Sequence, residues 1–485
     1  MDRRNFLKRS SLVAGGVITA ATLDLLSVHS VWARDNDHDS RGASAGCRPS
    51  HGRNPPKRQD YGTLKPTADQ TGAMILALPE GFEYVSFSRT GDPMNDGFAT
   101  PAIHDGMAAF NGPDDTIRLI RNHELRNAAG NFAFGVVGPS ATRYDALASG
   151  GCTTIDYDPR SKRVVRDFIS INGTIVNCSG GLAYKNTGWI TCEETTVGPA
   201  NGYTRKHGYS FLVPAAASGP SPAQPLTAMG RFTHEAALAD NATGIVYETE
   251  DAGDNSGFYR FLPNDPKNLL AGGLLQMAKI KGVTNYDTRS GQAEGEALEV
   301  EWVTIENPDP DPISSATSCF AQGFAKGGAR FNRLEGIFRG EDDSMYFVST
   351  SGGNAKYGQL WKYQTKRGRG TLRLVFESPS GSVLDSPDNL CVTPSGGILF
   401  CEDDASNDGD IHLLAPGLTN INRLVGMGCS GKPFEFAINI FSDSEFAGAC
   451  FSPDGEILFV NIQGGNATGS GMTVAITGPW RKGPL

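Results

Sequence analysis

Six stretches of this chain share one design: a polar approach, an apolar run, a turn rich in Gly, Asp, Asn or Pro, a second apolar run, and a polar exit. They are IHDGMAAFNGPDDTIRLIRNHE (103–124), NCSGGLAYKNTGWITCEE (177–194), THEAALADNATGIVYETED (233–251), RLEGIFRGEDDSMYFVSTSGG (333–353), SPDNLCVTPSGGILFCEDD (386–404) and GACFSPDGEILFVNIQ (448–463). Their apolar runs hold β-branched and aromatic residues, and their turns hold the residues that hairpin dihedrals favour. One such hairpin cannot bury both of its faces, whereas a closed ring of them can. Few amphipathic helical patterns lie between them. The expectation is therefore an all-β fold, a six-bladed β-propeller with inserted loops, over residues 76–485; a pair of β-sandwiches is the competing architecture. The widest gap, 251–333, contains ENPDPDPISSATS, which reads as an inserted loop.

Both ends of a hairpin lie on one edge of its sheet, so in a ring these ends converge on a common rim. The residues expected there are Asp105, Asn122, His123, Glu124, Cys178, Glu193, Glu194, His234, Glu235, Glu250, Asp251, Arg333, Glu335, Asp388, Asn389, Glu402, Asp403, Asp404, Asn461 and Gln463. So many carboxylates at close range repel one another and bind protons more tightly than usual, unless cations neutralise them. Carboxylate and amide oxygens suit calcium or magnesium, while a thiolate such as Cys178 suits a transition metal. The pattern points to two kinds of metal in one site. Blander readings stay open at this stage. A strand-end carboxylate is commonly solvated surface, Cys178 could form a disulfide with Cys192, His123 and His234 could serve only as hydrogen-bonding residues, and Arg333 could simply pair with Glu335.

The formal net charge of −10 argues against nucleic acid or an anionic membrane as partner. The nine cysteines show no CxxC and no Cys/His zinc spacing. MDRRNFLKRSSLVAGG, with adjacent Arg3 and Arg4 before a weakly apolar stretch, resembles a twin-arginine export signal, and VWA places cleavage near Ala33. Residues 1–33 are then the signal and 34–75 a polar linker. The mature protein is expected to be periplasmic or secreted, monomeric, and free of the membrane after cleavage. Two hydrolase motifs fail. The G-x-S-x-G at 42–46 falls in the linker, and GMGCSGKP at 426–433 puts Pro433 where a phosphate-binding loop needs a hydroxyl.

From about residue 75 onward the sequence resembles the PhoX-type alkaline phosphatases, exported bacterial enzymes. The likeness rests on RNHE, NCSGG with CEE, GRFTHEAA, EDAGDNSGFYRFLP, EGEALEVEW, FNRLEG, SPDNL with CEDD, and AITGPW, in that order. The resemblance implies a six-bladed propeller carrying a ferric iron and calcium cluster that hydrolyses small phosphate monoesters. It implies Cys178 as an iron ligand, Glu193 or Glu194 as its neighbour, and Glu124, Glu235 and Glu335 as further ligands. Glu250, Asp251, Glu402 and Asp403 are additional metal candidates, and Asn122 and Arg333 are expected to hold phosphate oxygens. The chemistry agrees, since phosphoryl transfer needs concentrated positive charge rather than a serine nucleophile. A calcium-dependent lactonase or phytase-like propeller, or a non-enzymatic binding propeller, would share the acidic rim without needing Cys178.

Overall fold

The structure, a computed structural model, describes residues 59–366, 368–403 and 411–485. The expected export signal, residues 1–33, and Asp404 lie outside the described residues. Regular structure starts earlier than the composition suggests. Strand Leu64–Ala68 pairs antiparallel with Met74–Pro79, so the last part of the expected linker belongs to the folded body. The reason is burial. Tyr61, Ile75, Leu76 and Leu78 pack with Phe82, Phe436 and Trp480 in one core cluster, while Lys65 and Pro66 face out and make the segment read as polar.

The six stretches are six antiparallel hairpins. Their paired strands are His104–Asn111 with Ile117–His123, Asn177–Leu182 with Gly188–Glu193, and His234–Ala239 with Val246–Glu250. The other three are Leu334–Arg339 with Met345–Ser349, Pro387–Val392 with Ile398–Glu402, and Phe446–Phe451 with Ile457–Ile462. The first strands of these modules touch one another in chain order, and the sixth touches the first, so they line a closed ring. Further strands extend each module outward. In the sixth, Met472–Thr477 pairs with Glu83–Phe87, a strand from the other end of the described chain, and this ladder closes the ring. The third and fourth modules are joined through Leu298–Thr304, which pairs with Gly273–Ile280 on one side and Arg369–Glu377 on the other. The architecture is a β-propeller, not a pair of sandwiches. Among the described residues no helix is long and apolar enough to cross a membrane.

Two features repeat at the rim. The residue before each first strand accepts a hydrogen bond from the residue after its second strand: Ile103 from Glu124, Val176 from Glu194, Thr233 from Asp251, Arg333 from Thr350, Ser386 from Asp403, and Glu445 from Gln463. Next to that closing bond every first strand carries a β-bulge. His104 pairs with His123 but Met107 with Arg121, so three steps on one strand match two on the other, and the other five modules do the same. A bulge leaves its extra residue unpaired and re-aims its side chain. The residues opening the bulges are Asp105, Cys178, Glu235, Glu335, Asp388 and Gly448.

Candidate metal centre

Five of the six bulges thus point a carboxylate or thiol at the ring's axis, and the closing turns add more. The ligand atoms fall into four groups, with the atoms in each within 4.8 Å of one another: Asp105, Glu124 and Cys178; Cys178, Glu194 and Glu235; Glu235, Glu335 and Asp388; Asp388, Asp403 and Glu445. Consecutive groups share Cys178, Glu235 and Asp388, so the set forms one unbroken run around the rim.

Burial of so many acidic groups beside so few cations strains this cluster electrostatically. Desolvation, followed by the charges of Glu124 and Asp388, pushes the Asp105 carboxyl well above its usual range. Burial likewise raises Glu235, Glu335 and Glu445, with neighbouring carboxylates adding to the effect, and raises the Cys178 thiol. Burial and the charge of Asp403 bring Asp388 up to about 7. Glu235 gives the sharpest test of what belongs there. It is wholly buried, and neither of its carboxylate oxygens has a hydrogen-bond partner. A carboxylate in that position is tolerated when a cation faces it. The donor set therefore fits metal ions.

The cluster has a supporting frame. Gln463 Nε2 donates to Asp105 Oδ2 and to Glu124 Oε2, both at 3.0 Å. Arg333 lies against Asp251 at 3.1 Å and Glu335 at 2.9 Å. Arg126 Nη2 bridges Glu124 and Glu194.

Of the residues expected as ligands, Glu124, Cys178, Glu194, Glu235, Glu335 and Asp403 are in the run. Asp251 borders it through Arg333 and neighbours Glu194, whose carboxyl its charge helps to raise. Three other expected ligands are elsewhere. Glu193 accepts from Ile175 N, Gly208 N and Tyr209 N and lies 2.7 Å from His207 Nδ1. Glu250 accepts from Gly257 N and the Tyr259 hydroxyl. Glu402 accepts from Asp385 N, Arg423 N and the Arg423 guanidinium. Each ends a second strand, and strand alternation turns it away from the axis, opposite to the residue that follows it. Their carboxylates tie outer strands and loops together instead of facing the ring.

Asn122 is also displaced from its expected role. Its amide nitrogen donates to the Cys178 and Ser179 carbonyls, and its oxygen accepts from Trp189 Nε1 and Cys152 Sγ. Nothing remains for a phosphate oxygen; it braces the bulge that carries Cys178. Cys178 and Cys192 are both free thiols, and Cys192 sits in a core cluster with Ile190 and Phe232. His123 and His234 are fully buried hydrogen-bonding residues, as the bland reading had it. Asp105 and Asp388 were on the expected rim without being singled out; Glu445 and Arg126 were missed. The bulge phase would have found the first two. Glu445 occupies the same place before its strand as Arg333, which marks it in the same way.

Residues 59–465 match the family described as alkaline phosphatase PhoX. Among solved structures, Pseudomonas fluorescens PhoX in complex with vanadate, a transition-state analogue, aligns over 87% of this chain and 98% of its own, with 19% identity and a TM-score of 0.64. That likeness establishes the fold. A luciferin-regenerating enzyme (10% identity, 78% of this chain and 92% of its own, TM-score 0.40) and a putative gluconolactonase (10% identity, 86% and 98%, TM-score 0.37) align too loosely to carry an argument. No curated protein sequence matches. A β-propeller whose rim gathers acidic and thiol ligands, matched over most of its length by that family, is a phosphomonoesterase, and this chain belongs to the PhoX alkaline phosphatase family.

Proposed function

We propose that the rim binds a mixed cluster of iron and calcium and that the substrate is the phosphoryl end of a small phosphate ester, held between that cluster and Arg333. The observation that carries this reading is the unbroken run of four ligand groups, two containing the Cys178 thiol and two made of carboxylates alone. A soft thiolate favours a transition metal, so Asp105, Glu124, Cys178, Glu194 and Glu235 would hold iron. Hard carboxylates favour calcium, so Glu235, Glu335, Asp388, Asp403 and Glu445 would hold that ion. Such cations supply dense positive charge for phosphoryl oxygens and acidify water at neutral pH.

The chain's own residues prepare the place. Asp251 and Glu335 hold the Arg333 guanidinium at the rim, where its planar fork suits two phosphoryl oxygens. Gln463 fixes the orientation of Asp105 and Glu124, so these carboxylates need little reorganisation. Burial keeps bulk water from the ligands and strengthens every charge interaction there. The chain works outside the cytoplasm, periplasmic or secreted after twin-arginine export, as a monomer. Elemental analysis of purified protein, with an assay on a chromogenic phosphate monoester, tests the reading. Iron and calcium are expected together, with phosphate release lost on chelation. Protein that binds calcium alone and releases no phosphate would sink it.

A further inference from the structure

The phosphate site is left with one arginine where the resemblance asked for two ligands, because the Asn122 amide is fully engaged. We infer that Arg126 is the second phosphate-binding residue, facing Arg333 across a bridge of two carboxylates. The inference rests on reading this rim as the phosphomonoesterase centre.

Arg126 stands two residues past Glu124, just beyond the first module's closing bond. Its Nη2 reaches Glu124 Oε1 and Glu194 Oε2, one carboxylate from each of the two groups that share Cys178. The Arg126 side chain is 52% exposed, against 11% for Glu124 and 8% for Glu194, so it forms the outer wall of that part of the rim. Glu194 in turn neighbours Asp251, whose charge helps to raise its carboxyl, and Asp251 holds Arg333 at 3.1 Å. The order Arg126, Glu194, Asp251, Arg333 is thus a continuous row with a guanidinium at each end.

A carboxylate that faces a cation has less negative charge to offer a guanidinium. Cations in the ligand groups would partly neutralise the carboxylates now paired with Arg126 and Arg333, while both guanidiniums keep their charge. Two arginines at opposite ends of one short row would then offer two guanidinium charges, and the N–H donors not held by carboxylates, to a tetrahedral dianion that needs charge on several oxygens at once. The exposure of Arg126 lets it meet the phosphoryl group without burying the rest of the ester, which suits a site open to varied leaving groups.

The test uses purified, metal-loaded enzyme and the variants Arg126→Ala and Arg126→Lys. Binding of inorganic phosphate is measured by titration calorimetry and as competitive inhibition of a chromogenic monoester, beside elemental analysis of each sample. Metal content should be unchanged, phosphate binding should weaken on the order of 10- to 100-fold, and kcat/KM should fall in parallel. Lysine should restore part of the loss, because it keeps the charge but not the fork. Should Arg126→Ala fail to fold, Arg126→Gln carries the same measurements. Phosphate binding within twofold of wild type overturns the inference. So does a fall in metal content that accounts for the lost activity, since Arg126 would then only position Glu124 and Glu194. Unchanged phosphate binding with a loss confined to esters of anionic leaving groups overturns it as well, in favour of a leaving-group contact. If wild-type enzyme hydrolyses no monoester, the functional reading fails on its own, while the calorimetry still decides Arg126.

Discussion

Glu193 and Glu194 stand side by side and do unrelated things. One accepts three backbone amides and meets a buried histidine; the other joins the Cys178 group at the axis. The same division recurs where Glu250 precedes Asp251 and Glu402 precedes Asp403, so chemistry alone could not separate ligand from brace. Cys178 is the residue on which the proposed mixed cluster turns. Cys178→Ser should remove iron and the visible absorption of a thiolate–iron centre, and activity with them, while calcium held by oxygen ligands is retained more fully. Iron and colour unchanged in that variant would remove sulfur from the coordination. Arg333 carries the next test. Arg333→Ala should lower kcat/KM on a phosphate monoester about a hundredfold, the usual scale for a lost charged contact in the transition state, with metal content steady. Activity within a factor of about two would leave Arg333 as a mere counter-ion of Asp251 and Glu335.

At the scale of the element, the site is a property of the bulge. Its repetition aims five ligand-type side chains at one axis, and the corner before it is backbone under strain: Ile103, Val176, Arg333 and Ser386 all have positive φ, between 40° and 51°. Non-glycine residues seldom adopt that region, and its recurrence at equivalent corners marks a shared structural demand. In the sixth module the residue two past Glu445, the place that Asp105 holds relative to Ile103, is Ala447, which offers no ligand atom, and Gly448 follows it at φ +63°. Hairpin positions were legible in the sequence from their turns and apolar runs. The bulges were not, because a single unpaired residue leaves no compositional trace. Glu193 supplies the prediction at this scale. Removing a buried, multiply bonded carboxylate strands several donors, so Glu193→Ala should cost about 3–5 kcal/mol. Denaturant unfolding of metal-free protein measures it, and a change below about 1 kcal/mol would contradict the bracing role.

For the whole molecule, the cluster couples stability to cations and to pH. Asp388, ordinarily near 3.8, sits at about 7 in the folded protein; Glu402 sits at about 7 and Glu250 at about 8, burial being the first cause in each case. Folded-state values above the unfolded ones mean that the native protein holds more protons through this window. The contribution of these three groups to the stability of metal-free protein is then greatest at low pH and falls as pH rises from about 4 toward 8. Chelated protein should melt at a lower temperature at pH 8 than at pH 5, and cation loading should remove most of that difference. A chelated protein whose melting temperature is flat across this range would refute the coupling. The sequence by itself determined the repeated hairpin, the all-β ring and the acidic, thiol-bearing character of its rim, because strand periodicity and turn chemistry are local and written in consecutive residues. Only the tertiary structure decided which carboxylate of each pair faces the axis, that Asn122 is a brace, and that Glu445 and Arg126 join the site. Those choices depend on register, on one-residue bulges and on contacts between modules far apart in the chain, and no local pattern encodes them.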